Sequence, residues 1–189
     1  MTKVIAGEFK GRNLRVPVSV TRPTTSRVRE AIFSTIVHKL GDLSDLRVLD
    51  LYAGSGALGI EALSRGAAEA VFVELDRKAC QVIESNIKDL GLNRVHIQNT
   101  SVTSELKHRS TTGAFDLVLI DAPYTVSDDV IGELLIDLFE NDWLNEDALV
   151  VVERTKKSAL TWPEAFTESE RREYGDTTIW YGHYKRNSD

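Results

Sequence analysis

The chain has 189 residues, 42% hydrophobic and 28% charged, the composition of a soluble globular domain large enough to bury an ordinary core. No apolar run approaches the ~18 residues of a membrane span and no signal peptide opens the sequence, which makes the cytoplasm the expected compartment. A single cysteine, Cys80, excludes an internal disulfide and any multi-cysteine zinc site. The net charge of −6 speaks against a nucleic-acid partner, but its distribution does not: residues 1–30 carry seven Lys/Arg against Glu8 and Glu30, a balance of +5 that leaves −11 on the rest. A basic arm on an acidic body is the expectation.

In chain order, Val4, Ile5, Phe9, Leu14, Val16 and Val18 alternate loosely with basic residues around Gly11-Arg12-Asn13, the pattern of a β-hairpin. Thr25 or Ser26 should cap a helix running to about Leu40, with Val28, Ile32, Phe33, Ile36, Val37 and Leu40 inward. Arg27 and Arg29 fall in its first turn, where the helix dipole disfavours cations, so an anion-holding role is expected of them. A buried strand over Arg47–Leu51 leads into Gly54-Ser55-Gly56, and a helix through Leu63 stops at Gly66. Further strands are expected at 70–74, 94–98, 115–120 and 148–153, separated by helices at 77–90, within 102–108 and at 130–139. Gly175-Asp176 marks a closing hairpin between Arg171–Tyr174 and Thr177–Tyr184. This alternation predicts a mostly parallel, doubly wound α/β sheet with its ligands at the C-terminal strand ends.

Gly54 to Gly59 fits G-x-G-x-x-G, and Glu74 follows Gly54 by 20 residues, which suits a nicotinamide dinucleotide as well as S-adenosylmethionine. Two features favour the latter. Asp50, before the loop, would repel a pyrophosphate but could pair with a cationic amino-acid ligand, and Asp121-Ala122-Pro123-Tyr124 ends a later strand beside the same crevice. The histidines have no metal-ligand spacing, so no metal is expected.

Asp50-Leu51-Tyr52-Ala53-Gly54-Ser55-Gly56 resembles motif I of class I S-adenosylmethionine-dependent methyltransferases, and Asp121–Tyr124 resembles the (D/N/S)-P-P-(Y/F) motif of those that methylate exocyclic amino groups. With Ile5–Arg12, Arg22–Glu30 and the run from Gly54 to Gly66, nearly the whole chain resembles the bacterial small-subunit rRNA guanine-N2 methyltransferase D family. Ala122 stands where that family usually has its first proline.

The resemblance implies a Rossmann-like class I methyltransferase fold with a C-terminal antiparallel hairpin and a small N-terminal β-hairpin. It divides the chain into a basic RNA-binding arm (1–25), the methyltransferase domain (26–185) and a tail (186–189). It implies S-adenosylmethionine as cofactor, held by Asp50, Tyr52, Ala53, Gly54, Ser55, Gly56, Glu74, Asp76 and Ser101, and methylation of N2 of a guanine in 16S rRNA, of the position-966 type. Asp121 would accept from the amine, Pro123 would stiffen the turn and Tyr124 would stack on the flipped base. Lys10, Arg12, Arg15, Arg22, Thr24, Arg27 and Arg29 would bind RNA, within a small-subunit assembly particle, as a monomer with no membrane association. The alternatives are a DNA or RNA adenine-N6 methyltransferase, a non-catalytic RNA-binding assembly factor and a nicotinamide-dependent oxidoreductase.

Overall fold

Short strands β1 (Thr2–Lys3) and β2 (Asn13–Leu14) pair antiparallel and open the computed structural model, which describes residues 2–17 and 25–186, the side chain of Glu168 excepted. Helix α1 (Ser26–Leu40) follows, its Thr25 hydroxyl accepting from the Val28 N–H as an N-cap. Next come β3 (Arg47–Leu51), α2 (Ala57–Ser64), β4 (Glu69–Val73) and α3 (Arg77–Leu90), the last capped by Asp76 and closed by Gly91 in the left-handed conformation. Then β5 (Val95–Gln98), α4 (Val102–Leu106), β6 (Phe115–Ile120) and α5 (Asp128–Glu140) complete the alternation. Strands β7 (Leu144–Thr155), β8 (Phe166–Tyr174) and β9 (Thr177–Tyr184) end the chain.

Seven strands form one sheet in the order β5-β4-β3-β6-β7-β9-β8, parallel from β5 to β7, with β9 antiparallel to β7 and β8. The direction of winding reverses between β3 and β6, so a crevice opens at their C-terminal ends. Central strands bury both faces. Val48, Phe72, Leu117, Leu119, Leu149 and Val151 pack towards α1, α2 and α3, while Leu49, Leu51, Val73, Val118, Ile120 and Val152 pack towards α4 and α5. This two-faced burial is why these strands read as continuous apolar runs.

Two boundaries extend beyond expectation. β7 starts at Leu144 because it continues past a register shift opposite Phe115/Leu117, and β8 starts at Phe166 rather than Arg171. Val37, expected inside, is 42% exposed.

The N-terminal hairpin lies against α2 rather than projecting from the body. Glu61 accepts from the Ile5 and Ala6 N–H groups (2.8 and 3.0 Å), the Ser64 hydroxyl accepts from Phe9 N–H, and Val4 and Leu14 enter the main core. Gly7 has φ +82°, and a Cβ there would stand 1.7 Å from the Ser64 carbonyl oxygen, so only glycine permits this approach.

Candidate active site

The glycine loop leaves β3 through three special positions at every second residue. Tyr52 and Gly54 have positive φ (59° and 56°), and Gly56 is left-handed at the N-cap of α2. Tyr52 pays for a conformation that non-glycine residues rarely adopt, a form of strain concentrated at functional sites. Gly54 N–H donates to a Glu74 carboxylate oxygen at 2.8 Å, and the other Glu74 oxygen accepts from Asp76 N–H at 2.7 Å. Glu74 thus ties the end of β4 to the loop. Behind the loop, Asp50 is 1% exposed and accepts from Gly59 N–H at 2.8 Å. Asn86 closes the other flank, donating to the carbonyls of Ser55 and Arg15.

Four strands repeat one pattern at this edge. Val48, Phe72, Leu119 and Val151 face the same core layer, and two residues beyond each stands a carboxylate: Asp50, Glu74, Asp121 and Glu153. Leu119 pairs with Val151 and Ile120 with Val152, so Asp121, the first residue after β6, leaves the sheet next to the strand that carries Glu153. Burial pushes the Asp50 carboxyl well above the usual carboxylate range; the Gly59 N–H counteracts this, and the charges of Asp121 and Glu74 push it higher still. A cation in the crevice would relieve that repulsion, whereas a pyrophosphate would add to it. The residues therefore fit a ligand carrying an ammonium and a sulfonium, with the loop amides and the Glu74 carboxylate left to meet polar groups of a nucleoside.

Asp121 leads into a turn in which Val126 N–H donates to the Pro123 carbonyl at 2.9 Å. Ala122 is buried in the α4–α5 layer, and the Tyr124 ring stands out at the rim, 46% exposed. Asp76 caps α3 by accepting from Lys78 N–H, and Ser101 caps α4 by accepting from Ser104 N–H, so both oxygens serve the scaffold. Of the crevice residues, Asp50, Tyr52, Gly54, Ser55, Gly56, Glu74 and Asp121 come together, with Pro123 and Tyr124 at the edge; Ser101 sits on the neighbouring loop after β5.

Lys10, Arg12, Arg15 and Arg27 are exposed, Arg15 pairing with Asp89 at 2.9 Å and Arg12 donating to the Asp89 carbonyl. Arg22 and Thr24 lie outside the described residues. Arg29 requires correction: it is 1% exposed, 3.7 Å from Glu61, and donates to the Thr2 hydroxyl and the Lys3 carbonyl. Its charge holds the N-terminal hairpin to α1 and α2, and it cannot meet RNA. Sequence reasoning also passed over Glu153, visible only as one more strand-end acid, and Leu75, a 69% exposed apolar side chain beside Glu74. Asn99 holds that corner by donating to the Glu74 and Leu75 carbonyls.

Residues 2–183 match the family model described as "Conserved hypothetical protein 95". Ribosomal RNA small subunit methyltransferase D of Escherichia coli (strain K12) is 36% identical over 159 residues, 84% of this chain and 77% of that protein. The protein of the same name from Haemophilus influenzae is 36% identical over 169 residues, covering 87% and 84%. The chain belongs to the small-subunit rRNA methyltransferase D family. A solved Escherichia coli structure, described as a proposed methyltransferase (yhhF), superposes with a TM-score of 0.87 at 30% identity over 98% of this chain and 99% of that one. The fold of this methyltransferase D family member is thus shared with that solved chain over nearly its whole length.

Proposed function

We propose that the protein transfers a methyl group from S-adenosylmethionine to the exocyclic N2 of a guanine in 16S rRNA, of the position-966 type. The observation carrying this reading is the convergence of Asp50, Glu74 and Asp121 on the loop of Gly54 and Gly56, beside the exposed ring of Tyr124. Membership of a family whose curated relatives are named rRNA methyltransferases supports it.

When bound, S-adenosylmethionine supplies an electrophilic methyl carbon whose bond to sulfur breaks as the amine nitrogen attacks. The backbone of Tyr52, Ala53, Gly54, Ser55 and Gly56 would hold the amino-acid end, with buried Asp50 supplying negative charge from behind the loop, and Glu74 would take the ribose hydroxyls, with Asp76 and Ser101 nearby. A purine amine is a poor nucleophile because its lone pair is delocalised into the ring. Asp121 accepts from N2–H, localises that lone pair and passes the released proton to solvent. Tyr124 stacks on the flipped base and Pro123 limits the turn, so orientation supplies much of the rate. Glu153 beside Asp121 favours guanine over adenine, because guanine offers an N1–H next to its amine where adenine offers a lone pair.

Lys10, Arg12, Arg15 and Arg27 contact the RNA backbone, together with Arg22 and Thr24; the substrate is a small-subunit assembly particle, and the enzyme acts as a cytoplasmic monomer. Deleting the gene and digesting the 16S rRNA to nucleosides should remove one N2-methylguanosine by mass spectrometry. An unchanged N2-methylguanosine content would overturn the assignment.

A further inference from the structure

The turn that carries Tyr124 is tied to the sheet by a residue outside the motif. Arg154, on β7, is 5% exposed. Its Nε donates to Asp128 at 3.0 Å, and its Nη2 donates to the Val126 carbonyl at 2.5 Å. Val126 N–H in turn closes on the Pro123 carbonyl, so the guanidinium grips the far end of the turn that begins at Asp121. Asp128 also accepts from the Ser158 hydroxyl (2.9 Å) and Ala159 N–H (2.8 Å), which joins the start of α5 to the segment after β7. The remaining nitrogen, Nη1, is buried without a hydrogen-bond partner among the described residues.

We infer that Arg154 is a positioning residue that fixes the Pro123–Val126 turn, and with it Asp121 and Tyr124, against the sheet. This rests on Asp121 and Tyr124 being the acceptor and stacking groups. The need for such a clamp follows from Ala122, whose φ is free where a proline would be locked near −65°. A planar guanidinium meets a carbonyl and a carboxylate in fixed directions, which an ammonium cannot do. Burial keeps water from competing for those bonds.

The test compares Arg154→Met, Arg154→Lys and Arg154→Met/Ala122→Pro with the wild-type full-length protein. Asp128 keeps Ser158 and Ala159 as partners in every variant. Methyl transfer to small-subunit particles from the deletion strain, S-adenosylmethionine affinity by calorimetry, and amide exchange of residues 124–126 are measured together. Arg154→Met should lower kcat about 30- to 100-fold, as expected for a displaced reacting group, with cofactor Kd changed less than about threefold. Arg154→Lys should fall between, and Ala122→Pro should restore about tenfold of the loss in the Met background. Exchange of the Val126 amide should quicken at least about tenfold in Arg154→Met. Wild-type kcat in Arg154→Met, no recovery with Ala122→Pro, or unchanged Val126 exchange would each overturn the inference. So would a parallel loss of cofactor affinity, or an Arg154→Lys protein that fails to fold, since either gives Arg154 a scaffold role. Amide exchange reports the clamp even if guanine proves not to be the substrate, so the two readings fail separately.

Discussion

Glu61→Ala should be among the most damaging single changes in the chain, although Glu61 lies outside the crevice. Its carboxylate is fully buried and accepts from Ile5 N–H, Ala6 N–H and Arg65 Nε, and it stands 3.7 Å from Arg29 Nε. Burial lowers the Arg29 pKa, Glu61 opposes that and Arg65 adds to it, so removing Glu61 leaves the buried Arg29 cation facing the partly exposed Arg65 cation. Breaking one side of such a pair costs about 3–5 kcal/mol, while removing both charges costs much less. Urea melts at 25 °C should therefore show Glu61→Ala losing about 4 kcal/mol and Arg29→Met about 3 kcal/mol. The double variant should lose at least about 1.5 kcal/mol less than their sum. Strictly additive losses, or a loss below about 1 kcal/mol for Glu61→Ala, would refute the view that this pair anchors the N-terminal hairpin.

Asp50→Asn tests the buried carboxyl. Its folded-state pKa is raised, so its charge weakens the fold above that value and the penalty fades as pH falls and the group protonates. The variant's thermal stability should therefore gain on wild type as pH rises from 4 to 8, with weaker S-adenosylmethionine binding; a pH-independent difference would contradict this. Gly59→Ala places a Cβ 2.4 Å from Phe72 Cε1 and 3.1 Å from the Asp50 oxygen, so it should cost about 1–3 kcal/mol in urea melts and loosen cofactor binding. Wild-type stability would show that Phe72 gives way freely. Neutralising Arg12, Arg15 and Arg27 should reduce the slope of log K against log salt for RNA binding by about 2–3. An unaltered slope would place the RNA elsewhere.

The parts of the fold legible in the sequence are those governed by local rules. Gly54 and Gly56 announce a turn because only glycine takes their φ cheaply, and the two-faced strands announce a parallel sheet through unbroken apolar runs. Arg29 misled for the opposite reason. A cation in a helix's first turn breaks a local rule, but its compensation comes from Glu61, which is remote in sequence and adjacent only after folding. The start of β7 was hidden because Asn145, Glu146 and Asp147 interrupt its apolar pattern beside the register shift. Glu153 and Arg154 were equally obscure: their importance comes from the strand that lies beside them, and periodicity along one strand carries no word of its neighbour.

The most direct measurement separates cofactor binding from methyl transfer in Asp121→Ala. With small-subunit particles from a deletion strain and isotopically labelled S-adenosylmethionine, single-turnover transfer should fall at least about 1000-fold while the cofactor Kd stays within about threefold of wild type. Transfer at the wild-type rate would remove Asp121 from the chemistry and contradict the account at its centre.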